Sequence, residues 1–331
     1  MVNISTHRLD ELKNNFAGKK IVVIGDMMLD CYFWGDVKRI SPEAPVPVVE
    51  VGDEFYRFGG AANVALNILK LGGIPFLIGV IGYDNDGTIF TSLIKENQMH
   101  SDGIFIDETR PTTAKTRVIA HNQHVVRIDK ESKDYINEEM RKKILAYLES
   151  HIKKIDGIIL QDYNKGVLTP ELIEKIVHLA NKNDILITVD PKFNNFFAYK
   201  NVTVFKPNRK EAEEVLGIKI KTTSDVSFAG KTILERLKAK NVLLTLGEEG
   251  IAVFEEHQPE KRMSTKAIKV ADVSGAGDTV ISTLTMALAA NANILEACYL
   301  ANFAAGIVCG EVGIVPIEID RLFKVIGEDH K

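Results

Sequence analysis

The chain has 331 residues, enough for one large α/β domain or two modest ones. A formal charge of -4 with ordinary apolar and charged fractions leaves no electrostatic footprint for nucleic acid, and no apolar run is long enough to span a bilayer. Three scattered cysteines, Cys31, Cys298 and Cys309, form no CxxC pair, and the N-terminus has no apolar secretion signal, so the expectation is a cytoplasmic protein with reduced thiols.

Lys20–Gly25 reads as a buried parallel strand. The loop after it carries Asp26 and Asp30, then Tyr32, Phe33 and Trp34. An aspartate after a strand often caps a turn, but two carboxylates beside an aromatic wall also suit a polyol site at the carboxyl end of a sheet. The proline-rich Ser41–Pro47 leads into Val46–Val51, an edge strand or extended flap. Gly59-Gly60 opens an apolar helix that stops at Gly72-Gly73. Asn63 and Asn67 lie one turn apart near its start; Asn63 is placed to offer its amide to a sugar hydroxyl, whereas Asn67 reads as structural.

Further strands are expected at Pro75–Val80, Ile104–Ile106, Thr113–Asp129 (with an Asn122-Gln123 turn), Ile155–Gln161, Ile185–Asp190, Val202–Lys206, Val242–Leu246 and Ile251–Phe254. Helices fall around Phe90–Asn97, Asn137–His151, Pro170–Asn183 and Phe228–Lys238. This alternation predicts a mostly parallel central sheet covered by helices on both faces. The strands near residues 31–58 and 104–129 break the alternation and are read as a small β lid on a single domain. Lys115, Arg117, Arg127 and Asp129 share one face of that lid, a face for solvent or for a phosphate on the substrate.

Asp162 and Lys165 follow one strand, and Asp190 with Lys192 follows another. A lone lysine is usually solvated surface, yet both sit at the sheet edge where ligands bind. Asn208 and Glu211 form a helix capping box and could also hold water around a magnesium ion on nucleotide phosphates. Thr245, Gly247 and Gly250 make either a plain hairpin turn or a nucleotide-contacting loop. The run Asp272-Val-Ser-Gly-Ala-Gly-Asp278-Thr279 precedes a long apolar helix. The backbone amides of Gly275, Ala276 and Gly277 would make an anion hole at its N-terminus, and Asp278 beside it could take a proton from a hydroxyl. That is the kit for phosphoryl transfer. There is no Walker P-loop, no GxGxxG after the first strand, no HExxH or Cys/His cluster and no GxSxG elbow.

Gly59–Gly72, Gly79–Gly87 and Asp272–Thr279, in this order, resemble the signatures of the PfkB/ribokinase family of sugar kinases across about Lys20 to Val315. The resemblance implies a ribokinase-like three-layer α/β/α sandwich. It implies ATP and Mg2+ as cofactors, Asp278 as base, Asp30 and Asn63 on sugar hydroxyls, and Gly247 and Asn302 near the nucleotide. A monovalent cation is left open, and the lid strands would build a homodimer. Gly25–Tyr32, Arg39–Val49, Asn122–Asp129, Asp162–Gly166 and Val189–Lys192 are similar to the branch that phosphorylates the anomeric hydroxyl of heptose 7-phosphate, a step toward ADP-heptose and lipopolysaccharide core. Another sugar acceptor, or a non-catalytic sugar or nucleotide sensor of the same fold, stays open beside that reading. Ala61 and Val280 stand where the family often has a lysine and an aromatic. No HxGH motif occurs, so a stand-alone kinase is expected, with another chain carrying out the adenylyl transfer.

Overall fold

The computed structural model describes residues 4–121, 123–265, 273–311 and 313–329. Asn122 of the expected turn and Asp272 at the head of the glycine loop therefore lie outside the described residues. The first half of the chain runs α1 (Thr6–Phe16), β1 (Lys20–Gly25), β2 (Met27–Ile40), β3 (Pro47–Gly60), α2 (Ala61–Lys70), β4 (Ile74–Ile81), α3 (Asn85–Glu96), β5 (Ile104–Ile106), β6 (Thr113–Ala120), β7 (Gln123–Lys130) and α4 (Glu138–His151). The second half runs β8 (Gly157–Gln161), α5 (Pro170–Lys182), β9 (Leu186–Asp190), β10 (Val204–Phe205), α6 (Arg209–Leu216), α7 (Thr223–Leu237), β11 (Asn241–Thr245), β12 (Ile251–Glu255), β13 (Lys261–Met263), α8 (Ala276–Ala289), α9 (Ile294–Cys309) and α10 (Ile319–Asp329).

Among the described residues, nine strands form the main sheet in the order β13-β12-β11-β10-β9-β8-β1-β4-β5. All its pairs from β11 to β5 are parallel; β12 and β13 join antiparallel. Side chains alternate across a strand, and β1 shows the consequence. Ile21 and Val23 enter one apolar core, with α1, α2, α8 and α9. Val22 and Ile24 enter the other, with α4, α5 and α7. Helices thus cover both faces, and the sequence-based three-layer α/β/α arrangement holds. α8 is buried on nearly every side, which explains why its sequence is apolar without a polar stripe.

A second sheet, in the order β3-β2-β6-β7, stands beside the first. β2 and β3 are long antiparallel strands, and β6 joins β2 in parallel. The expected lid needs one correction. Ile104–Ile106 is not part of it: β5 pairs in parallel with β4 at the edge of the main sheet. Three residues carry no periodicity of their own, so counting strands against helices misplaced them. The lid also begins earlier than expected, at Met27, with only Asp26 between it and the end of β1.

Gly60 makes the return from lid to core. Its φ of 56° and ψ of −136° suit glycine alone, and a Cβ there would run into the Asp26 carbonyl oxygen. That oxygen accepts the Ala61 N–H at 3.0 Å, so the lid base and the start of α2 are tied to the end of β1.

Candidate active site

The carboxyl ends of β1, β8, β9 and β10 meet the N-terminus of α8, and the polar side chains converge there. Asp278 lies in the first turn of α8 and is only 4% exposed. Its Oδ2 accepts Asn63 Nδ2 at 2.7 Å. Its Oδ1 accepts the Tyr163 hydroxyl at 2.8 Å and Gln161 Nε2 at 3.1 Å. Gln161 Nε2 also donates to Asp190 Oδ2 at 3.1 Å, and Asp190 Oδ1 faces Lys206 Nζ at 2.9 Å. Burial pushes the Asp278 carboxyl up to about 6; the Asp190 charge adds to this, while the Asn63 and Tyr163 bonds and the Lys206 charge oppose it. A carboxylate with a pKa near neutrality accepts a proton readily, as a general base must.

Gly275 is the N-cap of α8, with φ of 78°. A Cβ on it would sit 3.2 Å from Ile314 Cγ2 and 3.4 Å from Asn63 Nδ2, so the turn is packed against both. The amides at the start of a helix have no partner within it and favour an anion. One of the three expected contributors is corrected: the Ala276 N–H is turned to the Val273 carbonyl at 3.3 Å. Gly277, beside it, faces Lys206 and Asp190: a Cβ there would lie 3.7 Å from Lys206 Nζ and 3.8 Å from Asp190 Oδ2.

This turn opens on a cleft of about 1070 Å3, lined on the far side by Asn208, Thr245, Gly247, Gly250 and Asn302. Lys192, Lys206, Arg209 and Lys210 supply its cations. A Cβ at Gly247 would meet nothing within 4 Å, so that wall is bare backbone. Room for a nucleoside, cations for a polyphosphate and a helix N-terminus between them fit a nucleotide triphosphate. Asn302 Nδ2 donates to the Ser264 carbonyl at 2.7 Å. Asn208 and Glu211 form the capping box: Asn208 Oδ1 accepts the Glu211 N–H at 2.9 Å, and Glu211 Oε2 accepts the Asn208 N–H at 2.8 Å. The other Glu211 oxygen is ion-paired with Lys192. The Asp190 and Glu211 charges outweigh burial and hold the Lys192 ammonium above its usual pKa. Among the described residues no group of three or more His, Cys, Asp or Glu could hold a metal.

The lid face turned to this site carries two cross-strand rows. Arg57, Asp30, Lys115 and Asp129 make one; Phe55, Tyr32, Arg117 and Arg127 make the other. Asp30 is buried and ion-paired with Arg117. Gly59 lets its carboxylate approach, since a Cβ there would collide with it. Arg57 Nη1 donates to the Ile314 carbonyl at 2.9 Å, tying β3 to the segment that packs on Gly275. Arg127 leans outward against Asp129, at 2.9 Å.

Three expected sugar ligands are otherwise engaged. Asp26, fully buried, accepts the N–H groups of Tyr163 (2.7 Å), Lys165 (3.0 Å) and Val167 (3.2 Å). It orders the loop after β8 and does not face the acceptor. Asp162 accepts the Tyr199 hydroxyl at 2.6 Å and the Asn164 N–H at 2.8 Å, a structural role. Lys165 Nζ pairs with Glu131 at 2.6 Å. Sequence reasoning missed Gln161, Tyr163 and Arg57. It read Lys206 only as the end of one strand and Asp190 only as the end of another, ahead of Lys192. A glutamine closing an otherwise apolar strand was the available signal for Gln161.

A buried carboxylate at a helix N-terminus, between a polyphosphate-sized cleft and a basic lid, suits a phosphotransferase acting on a hydroxyl. The chain belongs to the pfkB family of carbohydrate kinases, whose model matches residues 18–319. It is 44% identical over 312 residues to the bifunctional protein HldE of Helicobacter pylori (strain HPAG1), covering 94% of this chain and 67% of that one. It is also 44% identical over 311 residues to the bifunctional protein HldE of Aliarcobacter butzleri, covering 94% and 65%. The chain thus spans about two thirds of the length of these relatives. Among solved structures, Escherichia coli phosphofructokinase-2 in complex with potassium matches with a TM-score of 0.76 at 21% identity, over 95% of this chain and all of that one. Arabidopsis thaliana ribokinase complexed with ribose and ATP matches with a TM-score of 0.73 at 18% identity, over 94% and 99%. Both show the ribokinase-like fold.

Proposed function

We propose that the chain moves the γ-phosphoryl of ATP to the anomeric hydroxyl of heptose 7-phosphate, giving the 1,7-bisphosphate. The sugar class rests on the likeness to the HldE proteins and on the heptose-branch motifs in the sequence. The observation that carries it is the pair of cross-strand rows on the lid: Arg57, Lys115 and Arg117 share one face, and Lys115 Nζ lies 5.6 Å from the ring of Tyr163, whose hydroxyl bonds Asp278. Cations there suit an acceptor with a phosphate of its own. Asp278 takes the proton of the acceptor hydroxyl. The amides of Gly275 and Gly277 at the start of α8, with Lys206, stabilise charge on the transferred group. Asn208 and Glu211 would hold the water shell of magnesium, which when bound neutralises phosphate charge. In this reading the enzyme works in the cytoplasm as a homodimer through the lid. Among the described residues, the outer strands β3 and β7 have open sheet edges, and Ile40, Val51 and Ile128 are exposed on the lid.

The test is ADP release with heptose 7-phosphate, heptose and a panel of hexose phosphates, with the product identified by phosphorus NMR. Rapid turnover of heptose 7-phosphate alone, with a second phosphate signal at the anomeric position, is expected. Equal rates for heptose and its 7-phosphate would remove the phosphate argument. Tight binding without turnover of any sugar would favour a sensor.

A further inference from the structure

We propose that Tyr163 is a positioning residue for the base: its hydroxyl holds the Asp278 carboxylate in the orientation that receives the acceptor's proton. This rests on the reading of Asp278 as the base. The geometry is specific. The Tyr163 hydroxyl lies 2.8 Å from Asp278 Oδ1, which also takes Gln161 Nε2 at 3.1 Å. Each carboxylate oxygen accepts about two hydrogen bonds, so Oδ1 is filled. Oδ2 takes only Asn63 Nδ2 among the described residues, at 2.7 Å. One acceptor position therefore stays open, on Oδ2, and the sugar hydroxyl has a single place to bind.

Tyr163 donates in this pair. Burial and the charges of Asp278 and Asp190 raise its phenol well above the ordinary value, so the O–H stays protonated throughout the working range. Its own position is fixed from behind. The buried Asp26 carboxylate accepts the N–H groups of Tyr163, Lys165 and Val167, clamping the loop after β8. An aspartate at the end of β1 thereby acts on the base of α8 through one side chain. The ring also meets both halves of the site. Lys115 Nζ from the lid lies 5.6 Å from its centroid, and Lys192 Nζ from the loop after β9 lies 5.4 Å away.

The charged and titratable groups facing Asp278 are Asp190, Lys206, Lys192 and Tyr163 itself. Of these, Tyr163 is the one whose removal leaves every charge unchanged. That makes Tyr163→Phe a clean probe. It deletes one donor to a buried carboxylate, which is expected to raise the base pKa by about one unit and to cost about 10- to 100-fold in kcat.

The experiment measures kcat, sugar KM, ATP-analogue affinity and the pH profile of kcat/KM for wild type, Tyr163→Phe and Asp278→Asn. The expected result for Tyr163→Phe is unchanged ATP-analogue affinity, a sugar KM within about 3-fold, the kcat loss above and an acidic limb moved upward. A wild-type kcat with an unmoved limb overturns the proposal. So does a raised sugar KM with intact kcat, which would make Tyr163 a substrate contact. Turnover retained by Asp278→Asn would instead sink the reading of the base itself. If Tyr163→Phe fails to fold, 3-fluorotyrosine installed at position 163 carries the test. Its more acidic phenol is a stronger donor, so the limb should move to lower pH; an unmoved limb overturns the proposal.

Discussion

Asn63 Nδ2 lies 2.7 Å from Asp278 Oδ2, although 215 positions separate them in the chain. α2 and α8 each bring one partner, and the two helices pack directly against each other. Asn67, one turn along α2, completes the bracket: its Oδ1 accepts the Thr279 hydroxyl at 3.2 Å and the Ile317 N–H at 3.1 Å. The two helices thus present one composite site. Asn63→Ala should lower kcat by about 10- to 100-fold through loss of a bond to a buried charge. ATP-analogue affinity, measured by calorimetry, should stay unchanged; equal losses in both would place Asn63 in the nucleotide site.

The pH dependence of activity follows from the same carboxylate. Burial carries Asp278 to about 6, and the ionised form is the one that accepts a proton. kcat/KM should therefore climb with pH through about 6 and level off above it. An activity limb near pH 4, the range of a solvated aspartate, would mean that a different group is titrating.

Stability has the opposite dependence. Asp278 has a folded pKa of about 6 against an ordinary 3.8, so between these values the folded chain binds more protons than the unfolded one. Stability contributed by this group is then greatest below pH 4 and falls as pH rises through 6. The penalty at neutral pH is on the order of 3 kcal/mol, from a shift of about two units. Asp278→Asn should slow turnover about 10²- to 10⁴-fold and raise Tm by a few degrees at pH 7.5, with less gain at pH 5. A lower Tm at pH 7.5 would contradict this.

The sequence made the glycine turn at the start of α8 legible because its signal is local. Gly275 and Gly277 before an apolar run are what a helix N-terminus open to a ligand requires, and the Asn208/Glu211 spacing is that of a capping box. Asp26 was not legible in the same way. A carboxylate at the end of a strand faces either a ligand or a neighbouring loop, and only the parallel pairing of β1 with β8 decides for the loop. Tyr163 was hidden for the same reason. Its neighbours Asp162 and Lys165 carry charge and draw attention, yet they are bonded to Tyr199 and Glu131, and the phenol between them reaches Asp278.

Gly60 should tolerate no side chain. Its φ of 56° and ψ of −136° are strained for any L-residue, and the Asp26 carbonyl oxygen stands where a Cβ would go. Gly60→Ala is expected to cost roughly 2 kcal/mol or more, seen as a lower urea midpoint. A midpoint within error of wild type would show that the lid base can relax.

Arg57 ties the lid to the core through the Ile314 carbonyl at 2.9 Å, with its guanidinium 5.8 Å from the Tyr32 ring and 5.4 Å from that of Phe55. Arg57→Ala should speed hydrogen exchange in residues 313–317 and raise the sugar KM roughly 2- to 10-fold. Exchange unchanged in that segment would show that the contact does not hold it.

The decisive measurement is the rate of the phosphoryl-transfer step in a single turnover, wild type against Asp278→Asn, with ATP and heptose 7-phosphate pre-bound. If the buried acid beside the α8 amides takes the acceptor's proton, the variant should bind both ligands normally and transfer about 10²- to 10⁴-fold more slowly. A variant that transfers at the wild-type rate would contradict the assignment of Asp278 as the base.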